Sequence, residues 1–443
     1  MASAAASALK REIKPWMLIA LVVGDVLGAG IYARVGEVAG QVGGAIWVSF
    51  ALGLGIAGLT ALSYAELSSK YPSAGGAALF VHKAFGLPLL TFCVAFAVLA
   101  SGIASASSAA RTFAGGYLQE LVQVPALPVA FAFILVVALI NFRGIGESVR
   151  VNLLLTLIEL SGLVLIMGIG ASTLAAGEGV PARAFEFKEG ASIPFAVLAG
   201  AGIAFYACLG FEDVTNMAEE AENPSRMLPV ALLGGLGLAG IVYIAVSMTA
   251  AMVVDPAALA TSKKPLVEVV KVSGVPVSPL LFSAIALMAV ANTALINLIM
   301  ASRLLYGMAE QGVMPRPFAW THSTRHTPWV GIVFTTLLAF GLVATGDIGP
   351  LADTTVLLLL LSFVLVHLSL LRLRSDRVAH EHFSVPAFVP VAGALTCVVL
   401  LAVTIYRTPV VLVRAGILVG IGVGLWLVQR WLNARRTPGP EGT

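Results

Sequence analysis

The sequence has little charge, since only 11% of its 443 residues are Asp, Glu, Lys or Arg. Soluble globular proteins carry about 25%. Hydrophobic residues make up 59% of the chain, and its mean hydropathy is +0.97. This composition excludes an ordinary soluble domain and predicts an integral membrane protein. A net charge of +3, without a basic cluster interleaved with aromatic residues, gives no reason to expect a nucleic-acid partner.

Cysteine and cofactor-binding motifs are also scarce. Cys93, Cys208 and Cys397 all lie in apolar runs, so we expect neither a disulfide nor a thiolate metal site. HEH at 380–382 fits a solvated loop better than a metal site. No GxxxxGK[ST] loop is present, which argues against ATP-driven pumping, and we expect no cofactor. The N-terminal stretch lacks a small-residue cleavage site, so we expect no removed signal peptide.

Long apolar runs, by contrast, are abundant. A helix needs about 20 mostly apolar residues to cross a bilayer, and twelve such segments centre near residues 27, 55, 100, 132, 161, 204, 241, 292, 337, 362, 397 and 420. We therefore predict an all-α integral membrane protein with twelve transmembrane helices. Its predicted divisions are a cytoplasmic N-terminal segment at 1–15, helices 1–5 at 16–173, helices 6–10 at 190–374, helices 11–12 at 385–432 and a cytoplasmic C-terminal tail at 433–443.

The distribution of Lys and Arg indicates the orientation of these helices. With a cytoplasmic N-terminus, the inner side holds about twice as many basic residues as the outer side, as the positive-inside rule requires. Arg111 lies inside the third segment. The outer loops then hold Arg34, Arg183, Lys188, Lys263, Lys264, Lys271, Arg407 and Arg414. We predict a multi-pass protein of the cytoplasmic membrane with both termini in the cytoplasm.

The first and sixth segments contain residues that helices tolerate poorly. The first reads GDVLGAGIY at 24–32, and the sixth has glycines at 200, 202 and 210 followed by acids at 212 and 213. The two segments stand five spans apart and so cross the membrane in opposite directions. This pattern predicts an inverted five-plus-five repeat whose discontinuous helices form a midplane binding site. Close helix packing is the alternative role for the glycines.

The predicted breaks expose backbone groups of both polarities. The amides of Ala29, Gly30 and Ile31 begin the outer half of the first helix, where the helix dipole favours a carboxylate. The carbonyl groups of Val26 and Leu27 end the inner half, and the sixth segment adds carbonyl groups at 206–209. Donors and acceptors arranged in this way suit the α-carboxyl and α-amino groups of an amino acid.

Four motifs in order resemble those of the amino acid–polyamine–organocation transporter family. GDVLGAGIY resembles its G-x-x-x-G-x-G-I-[FY], and LSYAELSSKYPSAGGA resembles YAEL…P-x-x-G-G. FYACLGFEDVTNMAEEAENPSRMLP resembles F-x-[AS]-Y-x-G-F-[ED]…EE-x-x-N-P-x-R-x-[IL]-P. NTALINLIMASRLLYGMAEQGVMP resembles SR-x-[LI]-[YF]-x-[ML]-A-x-x-G-x-[LM]-P. The resemblance covers most of the chain and implies a LeuT-like fold with spans 1–5 and 6–10 as inverted repeats and two peripheral helices.

The resemblance also implies roles for individual residues. It assigns the substrate carboxylate to the amides of Ala29 and Gly30, and the amino group to carbonyl groups near the two breaks. Cys208 stands where the family usually has an aromatic residue, and Asp25 where it has a small or apolar one. The predicted substrate-binding set is Val26, Gly28, Ala29, Gly30, Ile31, Tyr206, Ala207, Cys208, Leu209 and Gly210.

Three acids are candidates for coupling or gating. Glu159 lies inside the fifth segment, where burial favours the neutral carboxyl and suits a proton carrier. Proton-coupled relatives commonly have lysine there. Pairing with Arg111, or a hydrogen bond to backbone, is the alternative for Glu159. Asp25 is a second titrating group, a charge for a cationic substrate or a helix cap. Glu212, beside Asp213, is interpreted as a gate or helix-end residue.

These observations predict a secondary active transporter that moves an amino acid by alternating access, coupled to protons. An amino acid or polyamine exchanger is an alternative, as is a sodium symporter with Thr293 as a ligand. An intramembrane enzyme or a channel is disfavoured, because we find no nucleophile–base or metal constellation and broken helices suit occlusion. Glu219, Glu220 and Arg226 are predicted to form a cytoplasmic charge cluster. The expected partners are the amino acid, a proton and the lipid bilayer, and the sequence carries no signal for an oligomeric state.

Overall fold

The computed structural model of the protein describes residues 12–262, 264–345 and 348–434. Within them lie sixteen α-helices: α1 (Pro15–Val42), α2 (Ile46–Lys70), α3 (Gly76–Phe85), α4 (Pro88–Thr112), α5 (Leu118–Leu121), α6 (Ala126–Arg143), α7 (Ile145–Ala175), α8 (Ile193–Ala207), α9 (Pro224–Val253), α10 (Pro256–Thr261), α11 (Pro265–Val272), α12 (Pro279–Glu310), α13 (Trp329–Thr345), α14 (Ile348–Leu373), α15 (Phe388–Arg407) and α16 (Val410–Ala434). A π-helical turn (Phe113–Tyr117) and three 3₁₀ segments (Pro181–Phe185, Phe211–Glu220 and Arg316–Ala319) complete the helical elements.

Extended structure in these ranges is limited to two isolated β-bridges, Ile13–Ala221 and Gly43–Phe187. The predicted all-helical class is therefore confirmed for this part of the chain. Most of the predicted cytoplasmic N-terminal segment and C-terminal tail, residues 1–11 and 435–443, lies outside the described residues.

Ten of the twelve predicted spans are present as helices long and apolar enough to cross a membrane. They are α1, α2, α4, α6, α7, α8 with its following 3₁₀ segment, α9, α12, α14 and α15. The apolar parts of α13 and α16, Trp329–Ala344 and Val410–Gly424, are shorter. The chain is thus a multi-pass membrane protein, while the ninth and twelfth spans stay predictions.

The first span is broken where its glycines predict a break. α1 begins at Pro15, whose fixed φ suits the first helical turn. Gly28 has φ −2° and ψ −163°, which is not a helical conformation, and the chain resumes as a helix to Val42. The predicted break between Gly28 and Gly30 is confirmed at Gly28.

The sixth span is broken as well. α8 ends at Ala207, and a non-helical link at 208–210 leads into the 3₁₀ segment Phe211–Glu220. Gly210 has φ +113°, a conformation that disfavours any side chain. α1 and α8 pack against each other so closely that a Cβ on Gly30 would lie 2.6 Å from the Cα of Ala207. The two breaks therefore adjoin inside the bundle.

The remaining helices surround this pair. α7, α9 and α12 pack on α1, and α4 packs on α12 and α14. α15 packs mainly on α14 and α2, and α16 packs on α4 and α14; both expose apolar side chains such as Leu395 and Val413. An apolar surface of this kind suits contact with lipid.

One buried ion pair ties the end of the sixth span to α12. Nε of Arg303 lies 2.6 Å from Oε2 of Glu220, and the two side chains are 0% and 2% exposed. Nη1 of Arg303 also donates to Oδ1 of Asn141. The backbone carbonyl of Glu220 accepts hydrogen bonds from the amides of residues 12 and 13, so this pair lies on the side of the bundle where α1 begins.

The predicted cluster of Glu219, Glu220 and Arg226 is wrong. Arg226, at the exposed start of α9, pairs with Glu381 at 3.6 Å, and both side chains are largely in solvent. Oε1 of Glu219 accepts the amide of Ala74. Glu220 instead faces α12, because the 3₁₀ segment turns its last side chain into the bundle.

The prediction that Arg34 lies in an outer loop is also wrong. Arg34 lies within α1 and is only 6% exposed. The reason is that α1 continues for more than two turns beyond its break. Nη1 of Arg34 lies 2.5 Å from Oε2 of Glu37, and Nη2 lies 3.8 Å from Oδ1 of Asp353 on α14. This cluster is on the opposite side of the break from the Glu220–Arg303 pair.

Arg303→Met leaves the carboxylate of Glu220 buried without its cation, which costs about 3–5 kcal/mol. We expect a lower midpoint of thermal unfolding for the purified protein in detergent. Replacing Glu220 by Met in the same chain removes the uncompensated charge and should recover most of the loss. Arg226→Met is the matched control, because its pair is exposed and contributes little. An Arg303→Met variant that melts like the parent would contradict the prediction.

Candidate functional site

A cavity of about 40 Å³ lies where the two helix breaks adjoin. This volume accommodates only a few water molecules. The cavity brings together most of the predicted site residues, namely Asp25, Val26, Gly30, Tyr206, Ala207, Leu209, Gly210 and Glu212. The two broken segments thus supply one wall from backbone groups and acidic side chains.

The other predicted site residues lie outside this lining. A Cβ on Gly28 would collide with Oγ1 of Thr293, which does line the cavity. Ile31 is fully buried within α1 and does not line the cavity. Sγ of Cys208 contacts the carbonyl of Ala204 at 3.4 Å, so the thiol does not take the cavity position expected of it. The side chain of Ala29 lies outside the described residues.

Sequence reasoning missed Tyr243, which lies on α9. Its hydroxyl is within hydrogen-bonding reach of the carbonyl oxygens of Val26, Leu27 (3.0 Å) and Ala207 (3.0 Å). One phenol therefore serves both breaks. The only signal in the sequence is a single tyrosine in an apolar segment, and nothing in its spacing relates it to residues more than 200 positions away.

The opposite wall was also not predicted, apart from Thr293. It consists of small polar and apolar side chains on α4, α12 and α14, namely Ser101, Ser105, Thr293, Asn297, Met300, Thr355 and Leu359. Nδ2 of Asn297 donates to the carbonyl of Thr293. Hydroxyl and amide groups on this side can hydrogen-bond a polar ligand without adding charge.

Glu159 lies on α7, is 0% exposed and does not line the cavity. Neither of its carboxyl oxygens has a hydrogen-bond partner among the described residues. The alternative pairing with Arg111 is therefore not formed. The backbone carbonyl of Glu159 accepts the hydroxyl of Tyr32 at 3.2 Å.

A buried polar cluster lies between Glu159 and the cavity. Nδ2 of Asn292 contacts Oγ1 of Thr156 at 3.0 Å and the carbonyl of Gly24 at 3.2 Å, and Asn152 donates to Oδ1 of Asn292 at 2.8 Å. Thr156 is one turn from Glu159 on α7, and Gly24 directly precedes Asp25. Polar groups thus connect the surroundings of Glu159 to the first break.

Ion pairs link the helices on both sides of the cavity. The guanidinium of Arg34 lies 4.8 Å from the ring centroid of Tyr206, whose side chain lines the cavity. Arg34 in turn pairs with Asp353 on α14. On the side where α1 begins, Glu220 and Arg303 join the sixth span to α12.

Two adjoining helix breaks, a buried polar cavity and flanking ion pairs are typical of secondary transporters. Among the described residues, no group of three or more His, Cys, Asp or Glu side chains is arranged to hold a metal ion. The fold and site therefore define a multi-pass membrane protein with a polar cavity inside its helix bundle.

The chain belongs to the amino acid permease family, whose model matches residues 13–423. It is 30% identical over 345 residues to Cationic amino acid transporter 9, chloroplastic, of Arabidopsis thaliana, a match that covers 73% of this chain and 59% of that protein. It is 27% identical to the Methylthioribose transporter of Bacillus subtilis, covering 89% of this chain and 88% of the relative. The Branched-chain amino acid permease BcaP of the same bacterium is 25% identical, with 85% and 83% covered.

Tyr243→Phe removes a hydroxyl that lies within hydrogen-bonding reach of the carbonyl groups of both breaks. Leaving buried acceptors without a donor costs about 1–3 kcal/mol, so we expect a lower midpoint of thermal unfolding with unchanged insertion. Tyr406→Phe is the matched control, because Tyr406 is 75% exposed on α15. Equal losses in the two variants would show that the contact of Tyr243 with the breaks contributes nothing specific.

Proposed function

We propose that this protein is a secondary active transporter that carries an amino acid across the cytoplasmic membrane by alternating access. The observation that carries the proposal is the polar cavity formed where the breaks of α1 and the sixth span adjoin. Membership of the amino acid permease family supports a small-molecule amino acid substrate. Two of the relatives are themselves named for amino acids.

The substrate carboxylate binds at the start of the second half of α1. Gly30 lines the cavity there, and the amides of Ala29, Gly30 and Ile31 present the positive end of the helix dipole. The α-amino group binds carbonyl oxygens at the breaks. The Tyr243 hydroxyl already contacts several of these carbonyl oxygens, but each oxygen has two lone pairs and can accept a second donor.

The finer architecture belongs to the same proposal. The chain has twelve spans, with spans 1–5 and 6–10 as inverted repeats, two peripheral helices and both termini in the cytoplasm. The breaks stand five spans apart and adjoin in space, as a pair of inverted repeats requires. The exposed apolar side chains of α15 and α16, such as Leu395 and Val413, support a peripheral position for the last two spans.

The ion pairs on either side of the cavity support alternating access. A cavity of about 40 Å³ must widen to accept an amino acid, so the described conformation is closed. Arg34 and Asp353 are 3.8 Å apart, and Asp353 is one-third exposed, so water can replace this contact. Glu220 and Arg303 are buried and harder to separate. The Arg34 side therefore opens more readily.

Glu159 carries the coupling proton. Its buried carboxyl oxygens have no hydrogen-bond partner among the described residues, and such a group is stable only when neutral or offered a new donor. The cluster of Thr156 and Asn292 joins its surroundings to the break in α1, so a rearrangement of α1 changes the environment of the carboxyl group. Carrying a proton with a zwitterion makes transport electrogenic.

Gly30→Val should abolish counterflow of a labelled amino acid in proteoliposomes while the protein still inserts. A Cβ at this position would lie 2.6 Å from the Cα and 2.7 Å from the Cβ of Ala207, so α1 and α8 would have to separate at the site. Counterflow requires a carrier, so the same assay on the parent protein tests the proposed function against an enzyme or a channel.

Gly168→Val is the matched control for Gly30→Val, because Gly168 on α7 is exposed with no atom within 4 Å of an added Cβ. It should retain counterflow. If Gly30→Val binds and exchanges amino acids normally, the substrate site is elsewhere. If the parent shows no counterflow with any amino acid, the transport proposal itself fails.

Glu159→Gln mimics a permanently protonated carboxyl group. We expect it to keep substrate binding and counterflow at equal pH but to lose accumulation driven by an inward proton gradient. A structural role for Glu159 would reduce binding and counterflow as well. Both measurements are made on the same proteoliposomes.

Glu147→Gln is the control for the coupling test, because Glu147 is exposed on the same helix. It should behave as the parent protein. If Glu159→Gln still concentrates substrate in response to a pH gradient, Glu159 does not couple transport to protons.

A further inference from the structure

Three carboxyl groups meet around Gly210 in the cavity. Asp25 comes from α1, while Glu212 and Asp213 come from the 3₁₀ segment, and all three line the cavity. A Cβ on Gly210 would lie 2.7 Å from Cγ of Asp25, and the amide of Gly210 donates to Oε2 of Glu212 at 2.9 Å. The amide of Asp213 donates to the carbonyl of Gly210 at 3.0 Å. The absence of a side chain at Gly210 is what lets the acids approach.

No described residue that lines the cavity is basic. Arg34 lies 4.8 Å from the ring centroid of Tyr206 but does not itself line the cavity, and it already pairs with Glu37 and Asp353. The acids are therefore not arranged as halves of internal ion pairs. Buried carboxylates without a counter-charge are costly, so a positive charge from outside the protein stabilises them.

Asp25 gives a second and independent sign of a ligand. Its side chain is 7% exposed and lines the cavity, yet its Oδ2 atom is buried with no hydrogen-bond partner among the described residues. Because Asp25 lines the cavity, this oxygen is an acceptor that a donor group entering the cavity can use.

We propose that Asp25, Glu212 and Asp213 form a subsite for a positively charged group at the far end of the substrate's side chain. The inference rests on the proposed transport of an amino acid and narrows it to cationic amino acids. The backbone breaks bind the α-carboxyl and α-amino groups, and the acidic subsite binds the distal ammonium or guanidinium group. Hydrogen bonds to a charged group are stronger than neutral ones, so the subsite discriminates by charge.

The test compares L-arginine with L-citrulline, which have the same length but differ in charge. Proteoliposomes containing the parent protein are assayed for counterflow of each labelled compound, and each is used to compete with the other. We expect arginine to compete at a concentration at least about tenfold lower than citrulline needs, because a charge-assisted hydrogen bond provides discrimination of this size. L-Lysine and L-norleucine form a second pair with the same expectation.

Asp25→Asn and Asp213→Asn remove one charge each and should bring the arginine-to-citrulline preference close to one. Glu268→Gln, an acid paired with Lys271 outside the cavity, is the matched control and should keep the preference. Binding of citrulline, measured as a thermal shift, shows that each variant is folded. The subsite proposal is overturned if both variants keep the preference for arginine over citrulline. It is also overturned if the variants lose citrulline binding together with arginine binding.

The outcome also separates this inference from the transport proposal. Equal counterflow of arginine and citrulline by the parent protein overturns the acidic subsite but leaves amino acid transport intact. The absence of counterflow for all four compounds and for neutral amino acids overturns the transport proposal and the subsite with it. A preference for arginine that both Asp variants lose supports the two together.

Discussion

The contact between the hydroxyl of Tyr243 and the carbonyl groups of two broken helices is the interaction on which the site depends. A backbone that leaves the helix inside a membrane loses its internal partners, and hydrocarbon offers none in return. The single hydroxyl proton of Tyr243 can be donated to one of these oxygens at a time, either at the end of the first half-helix of α1 or at Ala207 at the end of α8. The breaks can therefore persist at depth, and the remaining backbone groups stay available to a ligand.

The two breaks can approach each other closely because glycine residues lie at the points of contact. Gly30 meets the backbone of Ala207, and Gly210 meets the carboxyl group of Asp25, at distances that leave no room for a side chain. Glycine weakens a helix by roughly 0.5–1 kcal/mol relative to alanine. At these positions the loss of helix stability brings an advantage. Without side chains there, two backbones and a cluster of acids can lie together in one small volume.

Charged and polar groups are arranged in layers along the helix bundle. The cavity holds acids and neutral polar groups, while the cations nearest to it, Arg34 and Arg303, lie on opposite sides and pair with acids of other helices. The two pairs differ in exposure, so the energy needed to separate them differs as well. The two pairs therefore hold the helices on either side of the cavity with unequal strength.

The sequence by itself determined the class of the protein, the places of both breaks and most of the cavity residues contributed by α1 and the sixth span. These features depend on local composition: apolar runs long enough to span a membrane, and glycines that interrupt them at Gly28 and Gly210. Only the tertiary structure decided that Tyr243 serves both breaks, that Cys208 faces Ala204 and that Arg34 is buried beside Tyr206. Those contacts join residues from different helices, and their geometry depends on how far each helix continues and which way it is rotated, which apolar segments with little periodic patterning do not encode locally.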